Sequence, residues 1–191
     1  LPARARLLLV QHIDGAYETA VINHYAPAAA RLVGISAHIA GSLAERLPDR
    51  ADSIARVDNG VAVPSVCPAR QPLPNRPHRL VYTGRLDHEQ KRVRTKVASG
   101  ATQAVDDGES GLLAPFGPDD TDDNVGAALA KAIARAMDLG IHEMGQRAHA
   151  VCADRFNIAR QARRFGNEID RAAASIPTRA DHRLNGYRAV H

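Results

Sequence analysis

HRLVYTGRLDHEQKRV, residues 78 to 93, is the stretch whose reading decides the fold. Leu80, Val81 and Tyr82 have strand character, and Gly84 allows close backbone approach or positive φ where the apolar run stops. In an open α/β sheet, ligands sit outside the carboxyl ends of the strands. Arg85 and Lys91, six residues apart, therefore read as an anion clamp able to meet one diphosphate. The competing reading is a solvated surface arginine and lysine.

Working outward toward the N-terminus, residues 64 to 77 (PSVCPARQPLPNRP) carry five prolines in fourteen positions. That density excludes regular structure and predicts an extended linker. Before it, residues 6 to 14 read as a buried strand with His12 near its carboxyl end, where a histidine can face a cleft. Residues 15 to 30 are weakly helical, and 31 to 36 form a second short apolar strand. Ser36 is placed to cap a helix in which Ile39, Leu43 and Leu47 recur at steps of four before Pro48. Residues 53 to 63 predict a third strand, with a turn at Asn59-Gly60.

On the other side, residues 94 to 100 follow at once as a short strand, where a crossover helix of some ten or more residues is the usual connection. Residues 103 to 115 predict a helical stub, a turn at Gly108 and a brief strand at Gly111 to Leu113. The acidic run from Pro118 to Asp123 predicts a helix start capped by Asp122 or Asp123. Val125, Leu129, Ile133 and Met137 mark one face of that helix. Two more helices are expected over 141–155 and 157–174. The second should carry Ile158, Ala162, Phe165 and Ile169 inward and a basic face outward. The tail from 177 to 191 is polar and reads as disordered.

Composition bounds the function. The chain has 191 residues, long enough for a real core, and its 45% apolar share leans on alanine, with aromatics at 4% and no tryptophan. Such a core should consist of thin helices on aliphatic strands. The net charge of +4, from 25 basic and 21 acidic residues, gives little reason to expect a nucleic-acid partner. Only Lys91, Lys96 and Lys131 are lysines; the arginines suit phosphate and carboxylate, or reflect a G+C-rich coding sequence. Cys67 and Cys152 fit neither a metal-ligand spacing nor a disulfide scaffold, and reduced thiols in a cytoplasmic protein are expected. No stretch approaches the roughly 20 apolar residues of a spanning helix. The histidines lack ligand spacing, so no metal is expected.

Several of these pieces resemble one family in order. GRLDHEQKRV resembles the Gly-Arg-Leu…Gln-Lys-Arg signature of retaining GT-B glycosyltransferases of family 4. Residues 33–36 resemble its Val-x-Val-Ser element, 57–63 its Ile-Pro-Asn-Gly-Val loop, and 105–115 its Val-x-Asp-Gly-x-x-Gly-Leu-Leu segment. Residues 148–156 with the last helix resemble its ending. The resemblance spans residues 7 to 171. It implies an α/β, GT-B-like fold of two truncated Rossmann-like domains with C-terminal helices. Residues 1–63 would be the partial acceptor-side domain, 64–77 the linker, 78–176 the partial nucleotide-sugar domain with the terminal helices, and 177–191 the tail.

The resemblance further implies that a nucleoside-diphosphate sugar is the donor substrate, with no separate cofactor. Gly84, Arg85 and Lys91 would hold its diphosphate, and Arg85 and Lys91 would stabilise the charge that grows there as the glycosidic bond breaks. His12 occupies a position where the family often has a cleft histidine near the transferred sugar; the alternative is a loop histidine satisfied locally. Asn59 and Gly60 read as shaping the interdomain loop, and Gly108 and Gly111 as turn glycines. A saccharide or lipid-linked acceptor is implied, with room for peripheral contact at the inner membrane surface.

The departures matter as much. Nothing matches the family's Glu-x7-Glu run, Gln103 stands where a glutamate often precedes the Val-x-Asp-Gly segment, and the chain passes from Val93 to Val97 without the strands and helices that should intervene. Two full doubly wound domains need on the order of 300 residues. A shortened sheet exposes edges and apolar faces, so the expected fold is incomplete or depends on rearrangement or self-association. The expected function is hexosyl transfer with retention, and the alternative is a non-catalytic nucleotide- or anion-binding remnant or a degenerate fragment.

Overall fold

The computed structural model describes residues 5–68, 101–114 and 121–175. Contacts divide the chain into two units. Residues up to Ala62, together with those from Phe156 onward, form the first, and Val63–Arg155 form the second. The expected linker beyond Pro68 and the expected strands at 78–84 and 94–100 lie outside the described residues, as do Gly84, Arg85 and Lys91.

The first unit is α/β. Strand β1 (Leu7–Gln11), helix α1 (Ala16–Tyr25), strand β2 (Ala29–Gly34), helix α2 (Ala37–Arg46) and strand β3 (Ile54–Arg56) follow in order, and the strands form a parallel sheet in the order β1-β2-β3. Each crossover moves one strand in the same direction. The right-handed rule for such connections then places α1 and α2 on one face of the sheet. The packing agrees: Ile22 of α1, Leu32 of β2 and Ile39 and Leu43 of α2 form one buried cluster, with Leu7, Leu9 and Ile54 packed against it. Leu9, Leu32 and Ile54 are direct partners in the strand register and so share that face.

Local chemistry accounts for the element boundaries. The Ser36 side chain accepts a hydrogen bond from the Ile39 N–H at 3.2 Å, the N-cap the sequence predicts, and such a cap contributes about 1 kcal/mol. Helix α1 has no side-chain cap and buries only Ile22, in keeping with its weak helical pattern. It passes into a 3₁₀ turn at Ala26–Ala28, where Pro27 offers no N–H. The Arg50 guanidinium, from the 3₁₀ segment Pro48–Ser53, donates to the carbonyl oxygens of Ala26 and Ala29 and ties that turn to the start of β2.

The opposite face of the sheet presents Leu8, Val10, Arg31, Val33 and Ala55. It is covered by α6 (Ile158–Ala174), the last helix of the described chain, which packs against β1 and β2. Its buried residues are Gln161, Glu168 and Ala172. Arg31 reaches Glu168 at 2.6 Å and also donates to the Asp52 carbonyl at 2.7 Å, while Arg171 holds the second Glu168 oxygen at 2.7 Å. This corrects the expected inward face of α6: Ile158 and Ile169 are 54% and 49% exposed. The helix is turned so that its carboxylate meets the one charged side chain on that sheet face, a choice hydropathy does not register. The same packing puts α6 with the first unit, whereas the sequence reading grouped it with residues 78–176.

Two further differences concern strands. β3 is three residues long, not eleven. After Val57, whose N–H still donates to the Gly34 carbonyl at 3.1 Å, the chain changes partner: the Val61 N–H donates to the Phe156 carbonyl at 2.7 Å and the Ile158 N–H to the Val61 carbonyl at 3.0 Å. At Gly60 a side chain would meet the Ile158 backbone within 2.6 Å, so close approach explains that glycine. In the second unit, Gly111 forms only an isolated bridge with Asp107 and no strand.

The second unit contains α3 (Ala101–Ala104), α4 (Asp122–Asp138) and α5 (Ile141–Arg155). The N-cap of α4 is Thr121, which accepts from the Asn124 N–H at 3.3 Å. Asp122 and Asp123 therefore occupy its first turn instead of the cap position. Along the expected apolar stripe only Val125 is buried; Leu129, Ile133 and Met137 are exposed. No strand lies among the described residues of this unit to cover them. The turn at Gly108 is present, at φ +81°, and Arg155 grips both oxygens of Asp106 at 2.8 Å beside it.

The packing makes a direct prediction. Leu43→Ala, at a site with 0% exposure, should lower unfolding free energy by about 2–5 kcal/mol. Ile169→Ala should change it by no more than about 0.5 kcal/mol. Urea denaturation of both variants measures the contrast, and equal losses would overturn the placement of α6.

Candidate functional site

Three strands end side by side at the carboxyl edge of the sheet, at Gln11, Gly34 and Arg56. The loops that follow carry His12 to Gly15, Ile35 to Ser36, and Val57 to Gly60. This edge is where an open parallel sheet places a ligand, and it is the candidate site. Gly34 makes room for it: a Cβ there would lie 2.6 Å from the Ala40 backbone nitrogen, so glycine lets the first turn of α2 close down on the end of β2.

Of the sequence-predicted site residues, His12 is described and lies in the loop directly after β1, exposed at this edge. Gly84, Arg85 and Lys91 fall outside the described residues. β1 ends at Gln11, so His12 lies just past the strand and not within it.

Beside His12 stands a polar network that the sequence reading missed, centred on Asp14. One carboxylate oxygen accepts from Arg46 at 3.0 Å, Gln11 at 3.3 Å and Thr19 at 3.4 Å. The other accepts from the Ser42 hydroxyl at 3.0 Å and lies 3.4 Å from His38 Nε2. Arg46 also donates to Ser42 and, at 3.1 Å, to the Gln11 side-chain oxygen. Gln11, 2% exposed, donates in turn to the Ile13 carbonyl at 2.9 Å. Helix geometry explains the convergence: His38, Ser42 and Arg46 recur every four residues and share one face of α2. The neighbouring stripe of Ile39 and Leu43 faces the core. That four-residue spacing of polar groups was the available signal.

The network orders a loop that burial does not. His12, Ile13 and Asp14 are all exposed, so little apolar burial offsets the roughly 1–2 kcal/mol per residue that fixing the backbone costs. Hydrogen bonds worth about 0.5–1.5 kcal/mol net apiece are of the size needed. Surface ion pairs such as Asp14 with Arg46 add at most about 1 kcal/mol.

Asp14 is also set electrostatically. Burial pushes its carboxyl up, but hydrogen bonds from Ser42 and Arg46, with the charges of Arg46 and His38, outweigh burial and hold it below its ordinary value of 3.8. At the end of β3, Asp58 is buried and accepts from Arg56 Nε at 2.8 and 3.0 Å.

The second unit has a cleft of about 390 Å³ between Leu112, Leu113 and one face of α4, with Lys131 and Arg135 among the residues that line it. Among the described residues, no group of three or more His, Cys, Asp or Glu side chains is placed to hold a metal ion, and no helix is long and apolar enough to cross a membrane. Comparison with protein-family models, with curated proteins and with solved structures finds no match to this chain.

The depressed Asp14 carboxyl implies a pH dependence with a definite sign. Above the ordinary carboxylate value the group is ionised in both folded and unfolded chains, and its contribution is complete. As pH falls, the unfolded chain takes up the proton first, so the contribution is lost from about pH 4 downward, through the lowered folded value. The stability difference between wild type and Asp14→Asn in urea should therefore be present near pH 7 and shrink near pH 3. A difference that grows on acidification would contradict the assignment.

Proposed function

We propose that the chain is a shortened GT-B-like glycosyltransferase, transferring a hexosyl group from a nucleoside-diphosphate sugar to a saccharide or lipid-linked acceptor with retention, in the cytoplasm or at the inner membrane surface. The observation that carries this reading is the order of the five family-4-like segments along the sequence. The parallel βαβαβ unit, with His12 exposed at its carboxyl edge, is compatible with the acceptor-side half of such a fold.

In this reaction the bond from the anomeric carbon to the diphosphate oxygen breaks and a bond from that carbon to an acceptor oxygen forms. The diphosphate leaves with the bonding electrons, and the acceptor proton passes to it. Arg85 and Lys91 would neutralise the departing charge; a unit pair at about 4 Å interacts by about 4 kcal/mol at an effective dielectric near 20. His12 would donate a hydrogen bond to the sugar or orient the acceptor. A second reading, nucleotide or anion binding without transfer, is favoured by the lack of a Glu-x7-Glu run after Val93.

Incubation with UDP- and GDP-sugars should release nucleotide, and His12→Ala and Arg85→Ala should each lower the rate by about two orders of magnitude. Release with none of the donors refutes transfer. Nucleotide at about 100 times its dissociation constant should then still stabilise the fold by about 2.7 kcal/mol if the binding reading holds, and Arg85→Ala should abolish that shift.

A further inference from the structure

We infer that Asp14 is a positioning residue for His12: it holds the loop after β1 in one conformation by gathering donors from β1, α1 and α2. The inference rests on the proposed role of His12 and extends it to residues the family-like segments do not include.

Three observations carry it. First, the loop is bracketed. Gln11 and Asp14 stand on either side of His12 and Ile13, and both are bound by the same guanidinium, that of Arg46. Gln11 also ties back to the Ile13 carbonyl. The backbone at residues 12 and 13 is thus fixed from both ends while the His12 ring stays exposed.

Second, the donors come from a rigid element. His38, Ser42 and Arg46 lie on α2, whose adjoining face puts Ile39 and Leu43 into the core cluster. The loop therefore takes its position from a helix anchored in the core by Ile39 and Leu43. A site held by packed elements keeps tighter geometry than one left to a free loop.

Third, the network has no other evident task. It binds an exposed loop at a strand's carboxyl edge, the part of a parallel sheet that faces ligand. The core beneath it closes through Leu32 and Leu43, both 0% exposed, with no polar group required.

The test uses the full chain, labelled with ¹⁵N. In Asp14→Ala, ¹⁵N order parameters at the His12, Ile13 and Gly15 amides should fall from about 0.85 to below about 0.6, while those of Leu32 and Val33 in β2 stay as in wild type. Ser42→Ala removes a single donor and should produce a smaller effect of the same kind; it serves if Asp14→Ala fails to fold. Asp14→Asn, which keeps one acceptor oxygen, should restore part of the order. With a donor that the wild type turns over, Asp14→Ala should lower kcat about tenfold or more and leave the donor KM within about twofold.

Loop amides that keep wild-type order parameters in both Asp14→Ala and Ser42→Ala overturn the positioning role. A loosened loop with unchanged kcat overturns its link to transfer. If the wild type transfers from no donor, the glycosyltransferase reading fails, and the relaxation measurement still decides whether Asp14 sets the His12 loop.

Discussion

A parallel sheet has two faces, and both must be covered. Here α1 and α2 lie over one of them, as successive right-handed crossovers require, and the three-stranded sheet is left with Leu8, Val10, Arg31, Val33 and Ala55 on the other. The chain covers that face with α6, which begins more than a hundred positions after β3 in the sequence. The contact is made directional by a charge. Arg31 is 14% exposed and Glu168 only 7%, and a buried pair of this kind costs heavily if either partner is lost. The side of α6 that carries Gln161, Glu168 and Ala172 turns inward, and the first unit contains both early and late parts of the chain.

The same sheet positions the candidate site. With β1, β2 and β3 parallel, their carboxyl ends and the loops that follow lie along one edge. The close approach of α2 at Gly34 brings the helix's polar stripe over the loop after β1. Two stripes of one helix thus carry separate duties: Ile39 and Leu43 join the helix to the core, and His38, Ser42 and Arg46 join the core to the loop bearing His12. Stability is transmitted from packing to a surface group through a helix that is rigid for other reasons.

Much of the first unit was legible beforehand because its signals are local. The Ser36 cap, the four-residue recurrence of Ile39 and Leu43, and the two apolar runs before them all act within a turn or a strand. The spacing of helices α4, α5 and α6 was legible for the same cause. What failed were statements about which side of an element meets a partner. β3 stops short because the chain exchanges β2 for residues 156–158. Leu129, Ile133 and Met137 look like a core stripe on α4, yet they remain exposed, since periodicity shows that a helix has an apolar face and not that anything covers it. The network around Asp14 went unseen because its members are spread over residues 11 to 46 and meet only when β1, α1 and α2 are assembled.

By itself, then, the sequence determined the α/β character of the first unit, the approximate places of its helices, the cap of α2, and His12 as a histidine at a strand's carboxyl end. These follow from hydropathy period, turn chemistry and capping, which need only near neighbours. Only the tertiary structure decided that α6 belongs to the first unit, that its buried stripe contains Gln161 and Glu168, and that Asp14 collects Gln11, Thr19, His38, Ser42 and Arg46. Those outcomes depend on which charged and polar groups, far apart in the sequence, meet once the elements are assembled.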